Sequence, residues 1–186
     1  PQLKAVNDHL SEMMKNEKSD IRAAERLADA QQNLADYGNL NDIIVGKAGV
    51  NLNYVKSPTK EVDVSHLISA MFQDGNYSQD FAPLAKFGKF VDGATDAIFE
   101  DVNGNNLLVE IEMSLANLFA HGHPITSFHS VIVWTLGGYG INSQRTLPWG
   151  VGGGNVQVTL TKDAAQNWML SWGIETRRVY VIEEFI

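Results

Sequence analysis

Apolar residues fall along this chain in two rhythms. Over residues 1 to about 37 they recur three and four positions apart, and Leu10, Met13, Met14, Ile21, Ala24, Leu27 and Leu34 form one thin stripe. Acids and bases alternate between them: Glu12, Lys15, Glu17, Lys18, Asp20, Arg22, Glu25, Arg26 and Asp29. That period predicts amphipathic helix. A break at Asn16 to Asp20, with Ser19 or Asp20 capping a second helix, makes it a helical hairpin. Tyr37-Gly38-Asn39 ends it. The hairpin reads either as packed on the rest of the protein or as a linker or dimer arm. Residues 38 to 60 read as loop, with Gly46, Gly49, several Asn and Pro58, and a short element over 41–45. Helix resumes over residues 61–73 with Val64, Leu67, Ile68 and Met71 on one face, and Asp74-Gly75-Asn76 stops it.

In the second half the period shortens to two. Lys89 to Glu100 reads as strand with a turn near Gly93, and Asn103-Gly104 marks a tight hairpin. Leu107, Val109, Ile111 and Met113 alternate with Leu108, Glu110 and Glu112 in the next strand. Ser114 to Ala120 reads as a helical turn or two. Ser130 to Leu136 is apolar on both faces, the mark of a covered central strand. Gly137 to Gly154 reads as loop, Asn155 to Leu160 as strand, and Thr161 as the cap of a helix reaching Trp172. Arg178 to Glu183 is the last strand. The order predicts an α/β protein: a mixed central sheet flanked by helices, preceded by the N-terminal helical hairpin. Residues 1–40 form the arm or linker and residues 41–186 the α/β domain. The glycines from 137 to 154 match neither a phosphate-binding loop nor a dinucleotide fingerprint.

Composition narrows the chemistry. The 186 residues, 44% hydrophobic, are enough for one sizeable core. A formal charge of −8 argues against a broad electrostatic grip on nucleic acid, though not against a local basic patch. With no cysteine there are no disulfides and no thiolate-held zinc or iron–sulfur cluster. The chain has no signal-peptide pattern and no apolar run of about eighteen residues, which predicts a soluble cytoplasmic protein without a membrane partner. A start at Pro1 fits a processed protein or a segment of a longer one.

The chemistry concentrates between Asp92 and Trp134. Asp96 precedes the hairpin turn, and Glu110 and Glu112 follow it. Alternation puts the two glutamates on one face, with backbones roughly 7 Å apart. A hard divalent cation such as Mg²⁺ or Mn²⁺ binds carboxylate oxygens and keeps waters for a substrate phosphate. His121 and His123 flank Gly122. They read as a zinc pair, as hydrogen-bonding partners of a carboxylate or phosphate, or as a structural pair beside a helix stop.

An Asp, a short hairpin and then Glu-x-Lys is the signature of the PD-(D/E)xK, or restriction-endonuclease-like, nuclease superfamily, and the stretch around Asp96, Glu110 and Glu112 resembles it. The resemblance implies that Asp96 and Glu110 bind the metal, that Glu112 stands where the family usually has Lys, and that Glu61 or Asp63 supplies the acid some members carry on the first helix. The run VEIEMSLANLFAHGHPITSFHSVIVW is also similar to a pattern in bacterial proteins of this superfamily, several of them fused to a half resembling a histidine-kinase or gyrase-type ATPase. There an Asp usually occupies the position of His129. The resemblance covers residues 61 to 136.

Each feature has a plainer reading beside it. Asp96 reads equally as a turn acceptor, Glu110 and Glu112 as a solvated strand face, and Trp134, Trp149, Trp168 and Trp172 as core. Arg177 and Arg178 point to opposite faces of a strand, and Lys86 and Lys89 are the basic residues nearest Asp96. The leading expectation is Mg²⁺- or Mn²⁺-dependent phosphodiester hydrolysis of DNA or RNA. In that reading Asp96 and Glu110 hold the metal, Glu112 positions water, and His121 or His123 supports the phosphate. The rival expectation is a non-catalytic assembly module that dimerises through the N-terminal helices or joins an ATPase domain. A third is a metal-dependent hydrolase of a small molecule, with Gly137–Gly154 as a lid.

Overall fold

Each glutamate of the Glu-x-Glu strand sits deep inside a sheet, and the strand order explains how. The computed structural model describes residues 2–43, 56–74, 77, 79–91 and 96–186. Of the element expected at 41–45, residues 44 and 45 fall outside them, as do Gly46 and Gly49 of the 38–60 loop, the stop at Gly75-Asn76 and the turn at Gly93. The chain divides into two units, Pro1–Asp42 and Ile43–Ile186.

The first unit is one helix, α1 (Gln2–Asn39), and not a hairpin. Residues 2–37 contain no glycine or proline and are rich in Ala, Leu, Glu, Lys, Arg and Gln. Ser19 and Asp20 are weak competitors against that propensity, so the helix runs through them. The apolar stripe is exposed: Met13, Met14, Ile21, Leu27 and Leu34 are each more than half accessible.

The second unit is an α/β fold. It comprises α2 (Glu61–Asp74), β1 (Leu84–Phe90), β2 (Ala97–Asp101), β3 (Asn106–Ser114), α3 (Leu115–His121), β4 (Ser130–Thr135), β5 (Gln144–Pro148), β6 (Asn155–Lys162), β7 (Trp168–Trp172) and β8 (Glu175–Val181). The strands form one mixed sheet in the order β1-β2-β3-β4-β8-β7-β6-β5. The inner pairs β3–β4 and β4–β8 are parallel, and the rest are antiparallel. On one face α2 packs Val64, Leu67, Ile68 and Met71 against Val109, Ile111, Ile132 and Tyr180. On the other, Leu115 and Leu118 of α3, with Ile125 and Phe128, cover Val131, Val133, Val179 and Val181.

Two expectations for the C-terminal third are corrected. The stretch read as loop contains β5, and the stretch read as a helix from Thr161 to Trp172 is the β6–β7 hairpin. Trp168, Leu170 and Trp172 are buried in alternation, as a strand demands. The turn is built by Asp163, whose Oδ1 accepts the backbone N–H of Ala165 and Asn167 while Oδ2 accepts the Asn167 amide. Asp101 makes the same set of bonds to Asn103 and Asn105 in the Asn-Gly hairpin. In each turn one residue is left-handed, Gly104 in the first and Gln166 in the second.

Leu67 is fully buried between α2 and the sheet. Leu67→Ala is expected to lower unfolding free energy by about 2–5 kcal/mol, read by urea denaturation, because the close-packed site leaves a cavity.

Candidate metal centre

The β2–β3 ladder ends at Ala97↔Val109. Beyond it the edge of β3 is served by a side chain: Asp96 Oδ2 accepts the Ile111 N–H at 2.7 Å. On the other edge Glu110 and Glu112 align with Val131 and Val133 of β4, so both carboxylates enter the face covered by α3. They are 0% and 1% exposed. The reading of a solvated strand face is therefore overturned.

The histidines reach the carboxylates from the end of α3. Ser114 caps that helix by accepting the Asn117 N–H, and Gly122 closes it in a left-handed conformation with φ 67°, its N–H donated to Leu118 O. A side chain at Gly122 would be strained there, and this turn is what lets His121 and His123 face the same carboxylates. The following loop is pinned: Ile125 N–H donates to Pro148 O and the Thr126 hydroxyl to Trp149 O. His121 Nδ1 lies 2.7 Å from Glu112 Oε1, His123 Nε2 is 3.6 Å from that oxygen, and His123 Nδ1 is 3.5 Å from Glu110 Oε1. Glu112, His121 and His123 each offer a ligand atom within 4.8 Å of the others, and this group can hold a metal ion.

Charge makes that fit physical. Both oxygens of Glu110 and Oε2 of Glu112 are buried without a hydrogen-bond partner. An ionised carboxylate so placed costs several kcal/mol unless a positive charge joins it. Burial is the largest cause pushing both carboxyls up, to about 8; Asp96 adds next for Glu110, and Glu61 for Glu112. The charges of Asp96 and Glu61 thus act on both buried glutamates, a like-charge repulsion that a cation relieves.

The two acids proposed for the first helix separate. Asp63 accepts from Thr59 and Lys60 and fastens the start of α2, whereas Glu61 faces the carboxylate cluster. Glu61 also lines a cleft of about 330 Å³ with Val62, Ser65, His66, Phe90, Asp96 and Ile111. Ser65, His66 and Phe90 were not anticipated. The spacings Glu61–Ser65 and Val62–His66, one helical turn, were the available signal. His129 is structural: its Nδ1 accepts the Leu108 N–H. Arg177 donates to Phe128 O, and Arg178 to Asp80 O, Ala82 O and Asn167 Oδ1. Lys86 pairs with Glu100. Trp168 and Trp172 are core residues, Trp134 packs against the α2-side core, and Trp149 is 39% exposed. No family model, curated protein or solved structure matches the chain.

In chelator, Glu110 and Glu112 keep protons in the folded protein up to about pH 8 and lose them in the unfolded chain near 4.5. Between those values the folded state binds more protons, so stability falls as pH rises. Thermal unfolding in EDTA is expected to give a Tm that decreases across this window, and Glu110→Gln to flatten the decrease. A Tm that rises over the same window would contradict the assignment.

Proposed function

We propose that the protein is a metal-dependent phosphodiesterase acting on nucleic acid. The observation that carries the reading is Glu110: a fully buried carboxylate with no hydrogen-bond partner, acted on by Asp96 and Glu112 where the β2–β3 ladder ends. The resemblance of Asp96, Glu110 and Glu112 to the PD-(D/E)xK pattern supports the choice of substrate. Asp96 and Glu110 are the residues that would hold Mg²⁺ or Mn²⁺. The cation supplies Lewis acidity and a water of lowered pKa. Glu112, tied to His121 through Oε1, keeps Oε2 to orient water and accept one of its protons. In the net reaction the water oxygen bonds to phosphorus, the bond from phosphorus to the leaving alkoxide breaks, and that oxygen takes a proton. His123, with Nδ1 3.5 Å from Glu110 Oε1 and Nε2 3.6 Å from Glu112 Oε1, bridges the two glutamates and positions them.

With Mg²⁺ or Mn²⁺ and mixed DNA and RNA substrates, cleavage is expected from the wild type. Asp96→Ala is expected to lose at least about 100-fold, roughly 2.7 kcal/mol of transition-state stabilisation. Equal background cleavage by both proteins would sink the enzymatic reading.

A second function rests on α1. Its exposed Met13, Met14, Ile21, Leu27 and Leu34 lie on a 38-residue helix with interspersed charge, suited to pairing with the same helix of a second copy. Sedimentation equilibrium is expected to show a dimer that Ile21→Asp shifts to monomer; a wild-type monomer would remove this role.

A further inference from the structure

The His121–His123 pair and the Asp96–Glu110 pair differ in chemical hardness. Asp96 and Glu110 offer oxygen alone. Around Glu112 Oε1 stand two imidazole nitrogens, His121 Nδ1 at 2.7 Å and His123 Nε2 at 3.6 Å. Ligands about 2.0–2.2 Å from a tetrahedral ion lie roughly 3.3–3.6 Å from one another. The three atoms are therefore close to one coordination shell without rebuilding the fold. Magnesium takes oxygen donors and dehydrates reluctantly, whereas imidazole suits borderline transition ions. Two histidines and one glutamate, with a fourth position left for water, is a donor set of catalytic zinc sites.

Three observations point to a ligand here rather than to an ordinary acid–histidine contact. Glu112 is 1% exposed, and its second oxygen has no partner. His123 lies near both Glu110 and Glu112, so an ion at this position would neutralise the carboxylate that the hard-cation pair leaves uncompensated. His121 is 48% exposed at the side chain and His123 24%, which leaves a path for an ion to enter.

We propose that Glu112, His121 and His123 form a site selective for a borderline divalent transition ion, Zn²⁺, distinct from the hard-cation site at Asp96 and Glu110. The inference deepens the phosphodiesterase reading by giving the hydrolytic site two metals of different kinds. It is tested without substrate, so a failure of nucleic-acid cleavage leaves it standing, and its own failure leaves cleavage by one hard cation standing.

The full chain, stripped with EDTA, is titrated calorimetrically with Zn²⁺ and with Mg²⁺. One Zn²⁺ per chain is expected, bound at least about tenfold more tightly than Mg²⁺. His121→Ala and His123→Ala are each expected to weaken Zn²⁺ at least about tenfold, and His121→Ala, whose ring touches Glu112 and not Glu110, to leave Mg²⁺ affinity within about twofold. Co²⁺ in place of Zn²⁺ is expected to give the intense visible absorption of a four-coordinate nitrogen–oxygen site in the wild type, a readout that does not depend on the variants folding. Zn²⁺ binding no tighter than Mg²⁺, Zn²⁺ affinity unchanged in both histidine variants, or a weak octahedral Co²⁺ spectrum would each overturn the proposal.

Discussion

Two carboxylates withdrawn from water in the middle of a sheet are the constraint around which the second unit is arranged. Glu110 and Glu112 occupy positions that their neighbours on β4 fill with Val131 and Val133. A hydrophobic residue at either place would join the same core as Val179 and Val181. Retaining charge there lowers the stability of the ion-free protein, and local rules of this kind are broken mainly at functional sites. Everything near the pair works to surround it. The β2–β3 ladder stops before Glu110, Asp96 takes the vacated hydrogen bond of Ile111, and α2 brings Glu61 to Glu112.

The candidate metal centre is braced by the elements around it. β3 lies between neighbours over its first half, and its second half is held by β4. α3 is only seven residues long, yet it is capped at both ends, so its histidines are placed by backbone geometry rather than by helix length. The β5–β6 hairpin, far away in sequence, grips the loop after His123 through Pro148 and Trp149. His129 extends the β3–β4 pairing by one side-chain bond, and Arg178 ties β8 to the segment before β1. These are structural uses of residues whose chemistry alone suggests function.

Much of this was legible from residue pattern. The helix at α2, the Asn-Gly hairpin, β3 with its paired glutamates, and the covered strand β4 follow directly from periodicity and turn chemistry. The burial of Glu110 and Glu112 does not. Alternation places them on a shared face but cannot say which face α3 covers, because that depends on the parallel pairing of β3 with β4. The β6–β7 hairpin was misread because Thr161 resembles a helix cap, while the decisive signal, Asp163 followed four residues later by Asn167, repeats the Asp101–Asn105 turn without its glycine. The break expected in α1 failed for the opposite reason: Ser19 and Asp20 can cap a helix, but no residue near them interrupts one.

The account stands on the buried carboxylates being metal ligands, and diffraction tests that most directly. Crystals grown with Mn²⁺ are predicted to show an anomalous peak about 2.0–2.5 Å from carboxylate oxygens of the Asp96, Glu110 and Glu112 cluster. No peak at saturating Mn²⁺, with Glu110 and Glu112 hydrogen-bonded as neutral acids to their neighbours, would contradict it.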